Sequence, residues 1–385
     1  MSSFTRLCMP GKIISGNGCI QKIGALAEDL GGKKACLIFD AALEDSVCRN
    51  KVVQNLNSFE IEINQFITIS SEPTVQQLQY LLGNDGVLTC DLMIAIGGGS
   101  TLDTGKLLSA AVTNSIFAQE LKDGSKIKQN PLPLIAVPTT AGTGAEATPN
   151  AILLDELTHE KVAIINTKMI PDIILLDSDL TEHLPFSIAV STGFDALAHA
   201  LESYTSINKN DFTSLFALES IRTIFSYLED ACINNQSVSR QKMLEASFYA
   251  GVCLTTSSTH VVHAMAYPLS SRYGIRHGPS ISILLSPVIK ALHPQCSQSF
   301  SEIGRSCLDL QPDISDQQAS ISLVNKICDM ATRLSVPTNF SYLGIDHKEI
   351  KTLAREALQN KRLFDNSPVR LSDNDVQRIY EEVIV

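Results

Sequence analysis

No apolar run in this chain approaches the roughly 18–20 residues that a membrane-crossing helix needs, so no segment reads as a transmembrane span. The opening, MSSFTRLCMPGKIISGNG, lacks the long apolar core of a secretory leader. Cysteine occurs ten times, but never as C-x-x-C; the thiols stand singly from Cys8 to Cys328. That scatter excludes a disulfide framework and a zinc ribbon, and points to reduced, mostly buried thiols in a cytoplasmic protein. Basic charge is scarce. Lys and Arg number 30 against 41 Asp and Glu, a net charge of -11, which argues against a nucleic-acid surface. Internal repeats and low-complexity tracts are lacking too. What is present is 385 residues, 44% hydrophobic and 18% charged. This describes a globular protein too long for one ordinary core, so two domains are expected.

The first half alternates short apolar runs with helical segments and glycine-rich turns. ACLIF (35–39) ends at Asp40, LMIAI (92–96) at Gly97, PLIAV (133–137) at Pro138 and IILL (173–176) at Asp177. Runs of this length followed by turn residues predict parallel strands buried on both faces. From about Pro185 the periodicity becomes helical, as in SLFALESIRTIFSYLEDA and DVQRIYEEVI. The expectation is an α/β domain over 1–183 and an all-helical domain over 184–385, with ligands in the cleft between them.

Two loops in the first half carry the chemistry of an anion site. In IAIGGGSTLDTGK, a strand runs into Gly97, Gly98 and Gly99, then into a helix. Residues without Cβ let a phosphate approach bare N–H groups, and the helix presents its positive end. The fingerprint G-x-G-x-x-G is not met, because Leu102 stands where the third glycine belongs, and Lys106 lacks a P-loop frame. A tight strand-to-helix turn would look the same. The second loop, VPTTAGTGAEATPN, offers the hydroxyls of Thr139, Thr140 and Thr143, although a plain Ser/Thr-rich turn is similar. Asp40, closing its strand, reads either as the acceptor of adenosine ribose hydroxyls or as a helix N-cap.

The helical half holds three imidazoles and a carboxylate in two short stretches. Asp195 and His199 in STGFDALAHALESY are four residues apart, so they share a helix face. His263 and His277, 14 residues apart, can add ligands from a helix end and the turn after it. Such a set suits a borderline divalent ion such as Fe(II) or Zn(II), not Ca(II) or Mg(II). D-x-x-x-H alone also describes a capped or solvated helix.

Together these segments resemble the iron-containing (group III) alcohol dehydrogenase family, which shares its fold with glycerol dehydrogenase and dehydroquinate synthase. PGKIISGNGCIQKIG looks like the family's opening hairpin. GGGSTLDTGK matches G-G-G-S-x-x-D-x-x-K with Asp103 and Lys106 in place, and PTTAGTGAEAT is close to P-T-T-A-G-T-G-S-E, including Glu146. GFDALAHALESY and YPLSSRYGIRHG cover the metal region, and NSPVRLSDNDV resembles the closing segment. The resemblance implies a metal held by Asp195, His199, His263 and His277, with Fe(II) first and Zn(II) or another divalent ion as alternatives. It implies an NAD site lined by Gly97, Gly98, Gly99, Ser100, Asp103, Thr139, Thr140, Thr143 and Leu180. Asp40 stands where NAD-preferring members carry Asp, so NAD(H) is expected over NADP(H). Asn150 falls near a polar substrate-side position. The implied reaction interconverts a small primary alcohol and its aldehyde in a homodimer or larger homo-oligomer. A lyase like dehydroquinate synthase and a silent metal- or nucleotide-binding protein are the alternatives.

The chain departs from the family pattern at H-A-x-A-H-P, which here reads HAMAYP, with Tyr267 in place of the second histidine. Tyr267 is a candidate proton relay, as is His260 one turn before His263; the alternatives are a tyrosine that only shapes the pocket and a structural or surface histidine. The run TTSSTH (255–260) is rich in hydroxyls, and Arg272 and Arg276 flank the His277 turn. These features predict a small polar aldehyde carrying a carboxylate, phosphonate or sulfonate, since guanidinium pairs with such groups. Arginines facing solvent or local carboxylates are the alternative.

Overall fold

The computed structural model describes residues 5–44, 46–158 and 160–384. The chain divides into two compact units, Cys8–His183 and Leu184–Val385, the second including the described part of Met1–Leu7. No helix among the described residues is long and apolar enough to cross a membrane. All ten cysteines are free thiols.

The first unit contains β1 (Lys12–Ser15), β2 (Lys34–Asp40), β3 (Glu62–Ile69), β4 (Leu92–Gly97), β5 (Leu134–Pro138), β6 (Asn150–Asp155), β7 (Glu160–Ile165) and β8 (Ile173–Leu176). Six of them form a parallel sheet in the order β1-β8-β5-β4-β2-β3. The other two, β6 and β7, pair antiparallel. Its helices are α1 (Ile23–Asp29), α2 (Val47–Ser58), α3 (Val75–Leu81), α4 (Asp85–Leu88) and α5 (Gly99–Asn114). Every residue of β4 and β5 is buried. The reason is that successive side chains serve opposite faces, and each face is covered. Leu37, Phe39, Ile94, Ile96 and Val137 belong to a core with Ile23, Leu26, Val52 and Leu56 of α1 and α2. Ile38, Met93, Ala95 and Ala136 belong to another with Leu78 of α3 and Leu102, Leu107 and Leu108 of α5. Each such Leu or Ile contributes about 1.5–3 kcal/mol on burial.

The opening segment differs from the expected hairpin. β1 pairs parallel with β8, at Lys12 to Ile173 through Ser15 to Leu176. The turn after β1 is tied to the end of β8 instead, because the Asp177 carboxylate accepts the Gly18 and Ile20 N–H groups at 2.9 and 2.8 Å. Direction also matters at the middle of the sheet. From β2 the chain moves outward to β3, then returns to place β4 on the other side of β2. The carboxyl ends of β2 and β4, Asp40 and Gly97, therefore flank the topological switch point, where open parallel sheets bind ligands.

The second unit has nine helices among its described residues: α6 (Phe186–Thr205), α7 (Asp211–Ile233), α8 (Ser237–Leu254), α9 (Val261–Tyr273), α10 (His277–Cys307), α11 (Asp316–Arg333), α12 (Ile350–Gln359), α13 (Lys361–Phe364) and α14 (Asp373–Ile384). Amphipathic spacing explains the outer ones; α14 buries Val376, Ile379, Tyr380 and Val383 and exposes its acidic face. The Tyr380 hydroxyl donates to the Met265 carbonyl of α9 at 2.7 Å, which satisfies a buried phenol. In contrast, α6 is buried almost without interruption from Val190 to Thr205. The polar groups it carries inward, Asp195, His199 and Glu202, must find their partners inside the protein.

Candidate metal centre and nucleotide cradle

Helical spacing puts Asp195 and His199 one turn apart on α6, while α9 supplies His263 in its first turn and His277 opens α10. The structure brings the four together. One ligand atom from each lies within 4.8 Å of the others. The three imidazole Nε2 atoms of His199, His263 and His277 stand 3.8, 3.5 and 3.4 Å from one atom, Asp195 Oδ1. These separations are too long for good hydrogen bonds. Bonds of about 2.0–2.2 Å to a tetrahedral cation set neighbouring donors about 3.3–3.6 Å apart, so the cluster has the spacing of a ligand shell. Asp195 Oδ1 and His263 Nε2 are moreover buried without a hydrogen-bond partner. Orphaned atoms of this kind are costly unless something positive binds them. The residues present therefore fit a divalent ion. Only His277 is half-exposed, which leaves one open side to the cluster.

Charge in this cluster is strongly coupled. Burial opposes ionisation of Asp195, yet His199 and His277 beside it hold the carboxyl well below its usual range. Glu202 behaves alike: burial works against it, but His260 and His263 bring it down to about 2. His263 in turn is raised to about 9 by Glu202 and Asp195 in spite of its burial. Glu202 was not singled out from the sequence. Its place seven residues after Asp195, on the same helix face, was the available signal.

The relay candidates are placed differently. His260 is buried, with Nε2 at 2.8 Å from Thr205 Oγ1 and Nδ1 at 3.2 Å from Glu202. Nε2 thus meets the Thr205 hydroxyl, and Nδ1 is buried without a hydrogen-bond partner. Tyr267 lies one turn after His263 on α9 and is half-buried. The hydroxyl run proves to be a turn between α8 and α9. Thr255 donates to the Val252 carbonyl, Thr256 to that of Arg6, and Ser257 to Thr213 Oγ1. Ser258 takes the left-handed conformation that the turn needs. Arg272 forms a two-pronged pair with Glu356 at 2.8 and 2.7 Å and touches Glu349 at 3.2 Å, local carboxylates as in the alternative reading. Arg276, the residue before His277, is exposed. No carboxylate pairs with it among the described residues.

In the first unit, the nucleotide candidates gather at the switch point. Gly98 is the N-cap of α5, in extended conformation and with no side chain to fill the cap. A Cβ at Gly97 would lie 2.5 Å from Thr101 Oγ1 and 2.9 Å from Asp40 Cβ, so glycine there is dictated by packing. A Cβ at Gly98 would meet only Thr140 at 3.7 Å and Asp40 Oδ2 at 3.9 Å. Packing therefore does not require glycine at 98. Thr143 borders Gly99, and the Thr139 N–H donates to the Gly97 carbonyl at 3.0 Å. Ser100 lies in the first turn of α5, where its carbonyl accepts the Thr104 hydroxyl. Leu180 packs on the core of α1 and α2. Asp40 serves as a cap after all, with Oδ1 accepting the Ala42 N–H at 2.9 Å, while Oδ2 faces Gly98. Both readings of Asp40 are compatible, one oxygen each.

Asp103 joins two elements of the sheet unit. Its carboxylate accepts the Ile152 N–H at 2.9 Å and lies 3.7 Å from Lys106, tying α5 to β6. Lys106 is fully buried and donates to Thr148 Oγ1 and to the Asn150 carbonyl, at 3.1 and 2.7 Å. The observed work of Asn150 is this carbonyl anchor.

Comparison with known proteins agrees with this arrangement. The family model described as iron-containing alcohol dehydrogenase matches residues 10–178, and that for the C-terminal part of the Fe-containing alcohol dehydrogenase family matches 189–384. The chain is 29% identical to long-chain-alcohol dehydrogenase 1 of Geobacillus thermodenitrificans, over 98% of this chain and 96% of the relative. It is 24% identical to the NAD-dependent methanol dehydrogenase of Bacillus methanolicus, over 92% and 94%. Among solved structures, an alcohol dehydrogenase from Oenococcus oeni superposes with a TM-score of 0.91 at 26% identity, covering 99% of this chain and 100% of that one. The chain belongs to the iron-containing alcohol dehydrogenase family. It is an oxidoreductase that interconverts alcohols and aldehydes, which sets the lyase and silent-protein alternatives aside.

Proposed function

We propose that the chain is an NAD(H)-linked dehydrogenase of a small primary alcohol and its aldehyde. Asp195, His199, His263 and His277 hold Fe(II), and Asp40, Gly97–Gly99, Ser100, Thr139, Thr140, Thr143 and Leu180 surround the dinucleotide. The observation that carries this reading is the convergence of three Nε2 atoms on the orphaned, buried Asp195 Oδ1. When bound, the ion supplies Lewis-acid polarisation of the substrate oxygen, and the nicotinamide supplies or accepts the hydride. Asp195 contributes a buried negative charge that lowers the cost of holding a cation in a dry site. The α5 N-terminus and the bare N–H groups beside Gly98 bind the pyrophosphate. Asp40 Oδ2 accepts from a ribose hydroxyl and repels a 2′-phosphate, which favours NAD over NADP. Tyr267 carries the proton through its hydroxyl, and Asn150 is the polar residue on the substrate side. The aldehyde carries an anionic group, a reading that rests on the exposed Arg276 next to His277 and no longer on Arg272 or the hydroxyl run.

The protein works as a homo-oligomer in the cytoplasm. Ten free thiols support the compartment, and Phe212 with Leu215, both exposed on α7, support the association. A panel of neutral and anionic aldehydes, run with NADH and NADPH on protein reconstituted separately with Fe(II) and Zn(II), tests the proposal. Aldehyde reduction with NADH by the metal-loaded protein supports it. Failure of every aldehyde with both ions sinks it.

A further inference from the structure

We infer that Glu202 is the positioning residue of the metal centre, setting which nitrogen of His263 is available to the cation. The inference rests on the proposed metal-binding role of the cluster, and it begins from a helix end. The N-cap of α9 is His260, whose side chain makes no capping hydrogen bond. The free N–H groups of a first turn need acceptors, and burial removes water as the substitute. For Val262 the acceptor comes from another helix: Glu202 Oε1 of α6 takes its N–H at 2.6 Å. The second oxygen of the same carboxylate, Oε2, is 2.6 Å from His263 Nδ1.

One side chain thus does two things one residue apart. It docks the start of α9 on α6, and it holds the His263 ring. A carboxylate is acceptor-only, so Nδ1 must carry the proton in this contact. With Nδ1–H committed to Glu202, the lone pair of a neutral imidazole lies on Nε2. That is the atom 3.5 Å from Asp195 Oδ1, buried and without a hydrogen-bond partner. Carboxylate, imidazole and cation site then form the chain in which an outer acid fixes tautomer and orientation and raises ligand basicity. His260 completes the surroundings of Glu202, with Nδ1 3.2 Å from Oε1 and Nε2 2.8 Å from Thr205 Oγ1.

Glu202→Gln separates the two tasks. An amide has one acceptor oxygen, so the substituted side chain can still cap the Val262 N–H, but its NH2 group then faces His263 Nδ1 and donates to it. This forces the proton to Nε2 and blocks the ligand atom. The measurement is Co(II) binding to metal-free protein by chelator competition, together with the visible Co(II) spectrum and thermal unfolding of the metal-free chain. The expected result for Glu202→Gln is a metal-free chain that unfolds as wild type does, with Co(II) affinity about 10–100-fold weaker and an altered Co(II) band. Wild-type affinity and spectrum in Glu202→Gln would overturn the inference. Should that variant fail to fold, Glu202→Asp serves, since the shorter carboxylate remains an acceptor; weaker Co(II) binding supports the inference and unchanged binding overturns it. Absence of Co(II) binding by the wild-type protein would instead strike the metal reading itself, so the two failures are distinguishable.

Discussion

Two pairs of buried carboxyl groups, Asp103 with Glu146 in the sheet unit and Asp195 with Glu202 in the helical unit, are displaced in opposite directions. In the sheet unit, burial raises Asp103 to about 6 and Glu146 to about 7, and Lys106 only partly opposes it. In the helical unit, burial is just as complete, yet Asp195 and Glu202 are driven down by the imidazoles around them. The difference lies in the number of basic neighbours, one lysine against two or three histidines. A buried acid with too few positive partners tends to go neutral, whereas one ringed by imidazoles stays charged and is ready for a cation. The sheet unit's candidate nucleotide cradle is thus made of main chain and space. The helical unit builds its candidate metal centre from charge.

The sharpest way to break this comparison is to remove one imidazole. His263→Ala is expected to abolish stoichiometric metal binding and to lower turnover on the order of 10³-fold, the several kcal/mol that metal assistance contributes. NADH affinity should change by less than about twofold, because the nucleotide candidates lie on a separate unit. Metal analysis, steady-state kinetics and NADH fluorescence titration check the three parts. A large loss of NADH affinity would show that the two sites are not independent.

Glu146 tests the opposite case. Both of its carboxylate oxygens are buried without partners. Its folded-state pKa lies above the unfolded value of 4.5, so stability is full below about pH 4.5 and is lost as pH rises through about 7. A rise of that size corresponds to a stability difference on the order of 3 kcal/mol across the window. Lys106 is the charged group beside it, and Asp103 adds a loss of the same sign near pH 6. Glu146→Gln should therefore be more stable than wild type at pH 8 and closer to it at pH 4.5. Urea unfolding at the two pH values measures this, and a difference independent of pH would contradict it.

The same contrast explains what could be read from the sequence. Strands β2, β4, β5 and β8 announce themselves as apolar runs because both faces of the sheet are covered. Strand β3 does not, because only Ile67 and Ile69 of EINQFITI are buried at the sheet edge. β1 escaped for a similar reason, with no buried residue, and its parallel pairing to β8 is fixed by Asp177, some 160 residues away. The four clustered ligands were legible because two of them share a helix face and all four sit in family motifs. Glu202 was not, since its partners come from a helix beginning at Val261, and no periodicity encodes a contact between helices. The ion pairs of Arg272 were hidden for the same reason: Glu349 and Glu356, which bind it, are 77 and 84 residues downstream.

Space as a functional element is tested at Gly98. Its nearest neighbours lie 3.7 Å or more from a hypothetical Cβ, so Gly98→Ala should leave thermal stability within about 0.5 kcal/mol of wild type. The methyl group would nevertheless hold a phosphate away from the N–H groups at the start of α5. Loss of one charge-assisted hydrogen bond corresponds to about tenfold or more in NADH affinity. Gly97→Ala, by contrast, drives a Cβ to 2.5 Å from Thr101 Oγ1 and should destabilise the fold by about 1–3 kcal/mol. Equal behaviour of the two variants would mean that the glycine run is only a packing device.

The smallest expected effect concerns the two arginines beside His277, which begin alike in sequence and end in different surroundings. Arg272 is held by Glu356 and Glu349, so its charge is largely neutralised before any substrate arrives. Arg276 has no such partner among the described residues. An exposed guanidinium attracts an anion by about 0.5–1 kcal/mol under screening, which corresponds to a two- to fivefold effect. Arg276→Ala should lower kcat/KM by that factor for an aldehyde bearing a carboxylate or sulfonate, and leave a neutral aldehyde of similar size unchanged. Raising the ionic strength should shrink the difference. Arg272→Ala should affect both substrates equally, through the lost ion pairs to Glu349 and Glu356. If Arg276→Ala also affects both equally, the anionic substrate is excluded and the site takes a neutral aldehyde.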